Sequence, residues 1–239
     1  MDNDFIASIK QSLKDIYEKY KDKGLKAIYL WGSVTTEDFD IKTSDIDSIG
    51  IVNDGVDVAM EYEIKHELEQ RHPEVVKFGF RIAYEGELKG VIKPTSHLAS
   101  VILPRLLLLD LPHWTFVVGK KYLLSDFTDN PPMPQEGLYW RLEQLKNKGW
   151  NVAEDVEEGK EQRFLKILWR IVYLFQLSRG LEGQFSYSSL IVNVNEEEKP
   201  FINAIQTVKK SGYNRERFLI FIPVFNNLLN LTRQKAIKP

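Results

Sequence analysis

The chain has 239 residues and no cysteine, and its 34 acidic and 32 basic side chains leave a formal net charge of −2. With 43% hydrophobic and 28% charged residues, it has the composition of an ordinary globular protein of one large or two small domains, which excludes disordered, collagen-like and disulfide-stapled chains. The balanced charge also argues against stable binding along a nucleic acid, because neutralising phosphates requires an excess of Lys and Arg.

The sequence predicts no membrane partner. No stretch approaches the roughly 18 consecutive apolar residues of a membrane-spanning helix, and the most apolar segment, residues 101–111, is interrupted by Pro104 and Arg105. The N-terminus lacks the basic and apolar regions of a signal peptide. We therefore expect a cytoplasmic protein.

The first half of the sequence predicts a mixed unit of helices and strands. Apolar residues spaced three and four apart predict an amphipathic helix over residues 4–22, which ends at Gly24. The other predicted elements of this half are, in order, strands over 26–31 and 46–52, a helix over 57–71 and a strand over 75–84.

The second half is predicted to be mainly helical. Its predicted elements are a helix over 97–111, a short strand over 114–118, and helices over 135–148, 161–178, 201–210 and 215–231. Pro223 is expected to bend the last helix. We therefore predict an α+β protein in which a small mixed sheet flanked by helices, residues 1–110, precedes a helical bundle domain, residues 111–239, with a boundary that can fall anywhere between 94 and 135.

One segment of the first half combines residues suited to binding a phosphorylated ligand. Gly32 and Ser33 follow the first strand, and Ser44, Asp45 and Asp47 accompany the start of the second. A glycine lets the backbone approach a bulky anion, and the N–H groups at a helix start favour phosphate. Side chains alternate along a strand, so the two aspartates are expected on one face. There a divalent cation such as Mg²⁺ relieves their repulsion.

These residues resemble the DNA polymerase β-like nucleotidyltransferase superfamily, in which Gly-Ser is followed, after a spacer, by Asp-x-Asp on the next strand. Gly32, Ser33, Asp45 and Asp47 match that pattern, and the resemblance covers residues 5–90. Beyond it, the chain is similar to bacterial aminoglycoside adenylyltransferases in an apolar segment that ends in Val118-Gly119, in a Pro-containing loop and in a following helix. An isolated Asp-x-Asp is more often a turn or a solvated strand end, but the full combination is more specific.

The resemblance implies a metal-dependent enzyme that transfers a nucleoside monophosphate, AMP from ATP, to a hydroxyl of a small molecule and releases pyrophosphate. An aminoglycoside-like antibiotic is the expected acceptor, which would make the protein an antibiotic-resistance enzyme. Asp45 and Asp47 are implied to bind Mg²⁺ and to act catalytically. Gly32, Ser33 and Ser44 are the implied contacts of the nucleotide.

The resemblance also implies a third carboxylate, from the next strand, as a metal ligand or general base. The centre of the strand predicted over 75–84 contains no acidic residue. Glu74, just before that strand, is the first candidate, and Glu85 and Glu87 at its far end are rivals. The alternative for Glu74 is an exposed glutamate at a strand start.

Lys166 and Arg170 are the candidate cations for the nucleotide phosphates. They lie one helical turn apart and share a face of the helix predicted over 161–178. The alternative is that they flank its apolar stripe with their alkyl stems buried.

Two other functions stay open at this point. The uncertain third carboxylate suits a catalytically weak or silent nucleotide-binding regulatory module. A nucleotidyltransferase of the same superfamily that modifies a protein or an RNA end is the other, although the balanced charge disfavours RNA. The sequence predicts no oligomeric state.

Overall fold

The computed structural model describes residues 3–42, 44–100, 102–147, 161–181, 186–210 and 215–237. The chain divides into two units, Met1–Pro132 and Met133–Pro239. The first contains a sheet flanked by helices and the second is helical, which confirms the predicted α+β class. The first unit includes a strand at Thr115–Gly119, which pairs with the first strand of the sheet.

The first unit is built on a four-stranded mixed sheet. Its strands are β1 (Leu25–Trp31), β2 (Ile46–Val52), β3 (Phe78–Tyr84) and β4 (Thr115–Gly119), in the order β3-β2-β1-β4. β1 runs antiparallel to β2 and β4, whereas β2 and β3 are parallel. Parallel neighbours require a crossover connection, and the helix α2 (Ala59–Arg71) lies in it.

The two faces of this sheet carry different residues. α1 (Asn3–Tyr20) and α2 share one buried apolar cluster with strand residues that alternate along the sheet, namely Ile28, Leu30, Ile46, Phe78, Phe80 and Ile82. We call this the helix-covered face. Because strand side chains point alternately to opposite sides, Trp31, Asp47, Gly79 and Arg81 belong to the second face. The predicted aspartate site therefore lies on the side of the sheet opposite α1 and α2.

The connection between β3 and β4 differs from the predicted single helix over residues 97–111. After the short helix α3 (Glu85–Lys89), it contains a 3-10 turn at Leu98–Ser100, the short helix α4 (Pro104–Leu107) and another 3-10 turn at Leu111–His113. A continuous helix fails here because Pro104 and Pro112 lack the N–H donor that it requires. Each proline instead stands in the first turn of a short element, where no donor is needed.

The second unit consists of helices. They are α5 (Pro134–Asn147), α6 (Glu161–Ser178), α7 (Tyr187–Val192), α8 (Lys199–Lys210), α9 (Arg215–Ile220) and α10 (Ile222–Lys235). The predicted helix over 215–231 is thus two helices, with Pro223 in the first turn of the second. Position 148, the last residue of the helix predicted over 135–148, lies outside the described residues.

The apolar stripe of α6 forms much of the core of this second unit. Leu168, Ile171 and Val172 on α6 are completely buried, as are Ile205 on α8 and Leu228 on α10. Among the described helices of the chain, none combines the length and the apolar character that crossing a bilayer requires.

Candidate functional site

Asp47 is held in a space that two glycines leave for it. On β2 it pairs with Trp31 of β1 and with Gly79 of β3. A Cβ atom at Gly79 would lie 2.1 Å from Asp47 Oδ1, and a Cβ atom at Gly32 would lie 3.3 Å from Asp47 Oδ2. The carboxylate therefore lies over the β3 backbone and beside the end of β1, where larger residues would displace it.

Gly32 turns the chain at the end of β1. Its φ of +74° lies in the left-handed region, which glycine adopts without steric cost. A short 3-10 turn, Gly32–Thr35, follows. It is closed by the Thr35 hydroxyl, which donates to the Gly32 carbonyl at 2.8 Å, and by the Thr36 N–H, which donates to the Ser33 carbonyl at 2.9 Å. The glycine-serine turn and Asp47 are thus neighbours.

Asp45 lies just before β2, next to Lys77. The Ile46 N–H donates to the Lys77 carbonyl at 3.0 Å, which carries the alignment of β2 and β3 past the end of the strands. Asp45 Oδ2 lies 3.6 Å from Lys77 Nζ. Asp45 therefore lies beside Lys77, the residue before β3, and Asp47 lies beside Gly79, two residues further on. The structure brings both aspartates to the same end of β3.

Ser44 helps to close the loop between the turn and β2. Its hydroxyl accepts a hydrogen bond from the Asp40 N–H at 3.1 Å, and its own N–H donates to the Asp40 carbonyl at 2.7 Å. These hydrogen bonds are by themselves a sufficient reason for a serine at position 44, with no contact to a ligand required. A contact between Ser44 and a nucleotide stays a prediction.

Glu74 is not brought to the aspartates by any contact in the described structure. Its carboxylate lies 3.2 Å from His72 Nδ1, and His72 Nε2 lies 2.8 Å from the Ser12 hydroxyl of α1. The His72 ring also packs against Phe78, which belongs to the helix-covered face. Glu74 thus joins a chain of contacts on the side of the sheet opposite Asp47, and its catalytic role stays a prediction.

The rival carboxylates lie at the other end of the sheet. Asp47 pairs with Gly79, whereas the last pair of β2 and β3 is Val52 with Tyr84, five residues or roughly 17 Å further along at about 3.3 Å per residue. Glu85 and Glu87 follow Tyr84. Glu87 is buried and accepts hydrogen bonds from the Ser96 N–H and the Ser96 hydroxyl, each at 2.6 Å. Its role is therefore to hold the loop at Ser96.

Glu85 is fixed by two lysines. It is ion-paired with Lys26 of β1 and with Lys89 of α3, and the Tyr122 hydroxyl donates to it at 3.2 Å. Burial opposes ionisation of Glu85, but the hydrogen bonds from Lys26 and Lys89 outweigh it and lower the pKa of the carboxyl from 4.5 to about 2. Glu85 therefore links β1 to the chain after β3 at the sheet end remote from the aspartates.

We expect Glu85→Gln to reduce the stability of the protein at neutral pH and to make the remaining stability depend less on pH in the acid range. Because the folded-state pKa of Glu85 is lowered from 4.5 to about 2, its ionised form stabilises the fold above pH 4.5. That contribution is lost as the pH falls toward 2. Urea unfolding at several pH values should show the wild-type and variant curves converging across this interval. Parallel curves would contradict the role assigned to the two lysine pairs.

Lys166 and Arg170 lie on α6 of the second unit. Lys166 is exposed and Arg170 is half-buried, and the Arg170 guanidinium lies 5.4 Å from the centroid of the Tyr173 ring. This cation–π distance fits the edge of an amphipathic helix. Binding of nucleotide phosphates by the two residues stays a prediction.

Sequence reasoning did not identify Gly79 and Lys77 as parts of the site. A signal was present in the run Lys77-Phe78-Gly79-Phe80-Arg81, where large apolar residues alternate with polar or small ones. Alternation of this kind assigns Lys77 and Gly79 to the face opposite the phenylalanines. Placing Gly79 against Asp47 also requires the register of β2 on β3.

The aspartate pair suits Mg²⁺ better than a soft metal. In the part of the chain that the structure describes, no group of three or more His, Cys, Asp or Glu side chains could hold a metal ion. Mg²⁺ commonly uses one or two carboxylates and completes its shell with water and substrate phosphates. Asp45 and Asp47 beside a glycine turn that can receive phosphate therefore fit Mg²⁺ carried by a nucleotide.

A comparison with solved structures finds the same fold in spectinomycin adenyltransferase AAD(9) from Enterococcus faecialis, in a crystal structure with ATP and spectinomycin. The TM-score is 0.53 over 94% of this chain and 96% of that chain, and the sequences are 11% identical. No protein-family model matches the chain, and no curated protein does so. The likeness shows a nucleotidyltransferase-like fold.

Proposed function

We propose that this protein is a Mg²⁺-dependent nucleotidyltransferase that transfers AMP from ATP to a hydroxyl of a small molecule and releases pyrophosphate. The observation that carries the proposal is the position of Asp47, whose carboxylate lies between Gly32 and Gly79 next to the glycine-serine turn. The shared fold supports it, since AAD(9) was crystallised with ATP and spectinomycin. An aminoglycoside-like antibiotic is the acceptor that we propose to test first.

In this proposal the residues of the site have two roles, which are to bind the cation and to position the phosphates. Asp45 and Asp47 hold Mg²⁺, which when bound neutralises charge on the α-phosphate and favours ionisation of the attacking hydroxyl. In this proposal the turn at Gly32 and Ser33 holds the phosphates that leave as pyrophosphate, through backbone N–H groups of the turn. The acceptor oxygen forms a bond to the α-phosphorus, and the bond from that phosphorus to the pyrophosphate oxygen breaks.

The proton of the acceptor hydroxyl needs a base. In this proposal an aspartate of the pair accepts it. Asp45 is suited to this because its side chain is 37% exposed and can meet a hydroxyl from solvent. Glu74, the first candidate for the third carboxylate that the resemblance implies as metal ligand or general base, contacts His72, and we propose Asp45 as the base in its place.

We expect Glu74→Gln to leave the rate of nucleotidyl transfer within about threefold of wild type, because the carboxylate contacts His72 rather than the aspartates. The measurement is pyrophosphate release under single-turnover conditions. A loss of about 100-fold or more with unchanged ATP affinity would instead identify Glu74 as the general base, since proton transfer typically contributes 10²–10⁴-fold.

The experiment that tests the proposed function is a mass measurement on the acceptor. The protein is incubated with ATP, Mg²⁺ and a panel of hydroxylated antibiotics that includes spectinomycin. The expected product is one acceptor heavier by one AMP residue, with an equal amount of pyrophosphate and with neither product formed by Asp47→Ala. Absence of both turnover and calorimetric ATP binding would contradict the proposal.

A second candidate function is a nucleotide-binding regulatory module without turnover. It is favoured by the position of Lys77 beside Asp45 and by the absence of a three-acid cluster in the described residues. This function predicts Mg²⁺-dependent ATP binding that requires Asp47, with no modified acceptor in the same panel. The two functions therefore differ in the mass of the acceptor and not in the binding of ATP.

A further inference from the structure

We propose that Lys77 exchanges partners as the site fills: it pairs with Asp45 in the free protein and with a phosphate oxygen of the nucleotide once a divalent cation occupies Asp45. This inference rests on the proposed function and adds a residue that the motif does not contain. Lys77 thereby makes binding of the cation and binding of the nucleotide mutually dependent.

The first support is position. Lys77 precedes β3 and lies two residues before Gly79, and the Asp47 carboxylate occupies the space that a side chain at Gly79 would fill. The backbone at Lys77 is fixed, since its carbonyl accepts the Ile46 N–H at 3.0 Å. The side chain leaves from this fixed point and reaches Asp45 at 3.6 Å. A phosphate bound at a cation on Asp45 would be within the reach of the same flexible side chain.

The second support is the looseness of the ion pair. Its separation of 3.6 Å exceeds an ordinary charged hydrogen bond. The Lys77 side chain is 60% exposed and that of Asp45 is 37% exposed. Solvent-exposed pairs of this kind contribute little to stability. Lys77 can therefore leave Asp45 at small cost.

The third support is electrostatic. A divalent cation on Asp45 would lie within a few ångströms of the Lys77 ammonium, and two positive charges at that distance repel each other. A nucleoside triphosphate offsets this repulsion, because its negatively charged oxygens can bind both the cation and the Lys77 ammonium. The free site should therefore bind a divalent cation weakly and the nucleotide-loaded site should bind it strongly.

Lys77 differs from Arg81 of β3 in the exposure of its partner, since the Asp45 side chain is 37% exposed. Arg81, four residues further on, donates to Glu61 at 2.5 Å, and Glu61 is 1% exposed. Moving Arg81 to a ligand would leave that buried carboxylate without its cation, which is costly. The exchange of partners is accordingly assigned to Lys77.

The test compares Lys77→Met with Lys65→Met on the full-length protein. Lys65 is a matched control, because its ammonium also lies 3.6 Å from a carboxylate, that of Glu69 on α2. Binding of Mn²⁺ alone is followed by electron paramagnetic resonance, and binding of ATP with Mg²⁺ by calorimetry. Lys77→Met should bind Mn²⁺ alone about 2- to 10-fold more tightly and Mg²⁺-ATP about 5- to 20-fold more weakly. Lys65→Met should change neither affinity.

Lys77→Arg, which keeps the charge, should stay close to wild type in both measurements. An unchanged Mn²⁺ affinity or an unchanged Mg²⁺-ATP affinity in Lys77→Met would overturn the exchange. The proposed function would still stand in that case if the wild-type protein binds Mn²⁺ and ATP and Asp47→Ala does not. If wild type and Asp47→Ala bind Mn²⁺ and ATP equally poorly, the metal–nucleotide site itself fails, and the inference fails with it.

Discussion

Gly79→Ala should abolish Mg²⁺-dependent nucleotide binding and transfer nearly as completely as Asp47→Ala. An alanine Cβ would lie 2.1 Å from Asp47 Oδ1 and 3.3 Å from Asp47 Cγ, which is closer than folded structures allow, so the carboxylate must move away from Gly79 and out of its present position. A displacement of about 1 Å in a reacting geometry costs on the order of 100-fold in rate. The measurements are Mn²⁺ affinity and the rate of pyrophosphate release, with the fold checked by circular dichroism.

Gly50→Ala is the matched control for this substitution. Gly50 lies on β2, like Asp47, but an alanine Cβ there would meet the Phe80 ring at 2.8 Å on the helix-covered face. We expect this variant to lose stability through overpacking, which typically costs about 1–3 kcal/mol, and to keep its Mn²⁺ affinity while folded. Wild-type Mn²⁺ affinity in Gly79→Ala would show that Asp47 does not need the space over β3.

Features with short-range signals could be predicted from the sequence. β2 has the predicted bounds of 46–52, because a run of β-branched residues there is preceded by a polar loop and followed by Asn53-Asp54-Gly55. Gly32 at the end of β1 and the aspartates at the start of β2 are local features of the same kind. They come together because β1 and β2 are antiparallel neighbours.

Features that depend on pairing between distant segments could not be predicted in this way. The space for Asp47 depends on the register that sets it against Gly79, and the sequence alone does not specify that register. The contact of His72, the partner of Glu74, with Ser12 of α1 depends on how α1 and α2 pack on the sheet. Where apolar spacing and proline disagreed, in residues 97–111, proline determined the local structure.

Arg81→Met should destabilise the first unit, because it removes the cation from a buried acid. Glu61 is 1% exposed and accepts hydrogen bonds from Arg81 at 2.5 Å and from the Ile82 N–H at 3.1 Å, and it lies 2.9 Å from His97 Nδ1. Removing one partner of a buried pair leaves an uncompensated charge and typically costs about 3–5 kcal/mol. Because His97 remains beside Glu61, we expect the free energy of unfolding to fall by about 2–4 kcal/mol in Arg81→Met. Hydrogen exchange of the β3 amides, Ile82 among them, measures the effect in this unit alone.

The double variant Arg81→Met with Glu61→Gln separates the charge from the packing. Glutamine has nearly the same shape as glutamate, can still accept from the Ile82 N–H and can donate to His97, but it carries no charge that needs a cation. If the buried charge causes the instability, the double variant should recover most of the protection that Arg81→Met loses. Equal instability of the single and double variants would instead assign the loss to the packing of the Arg81 side chain.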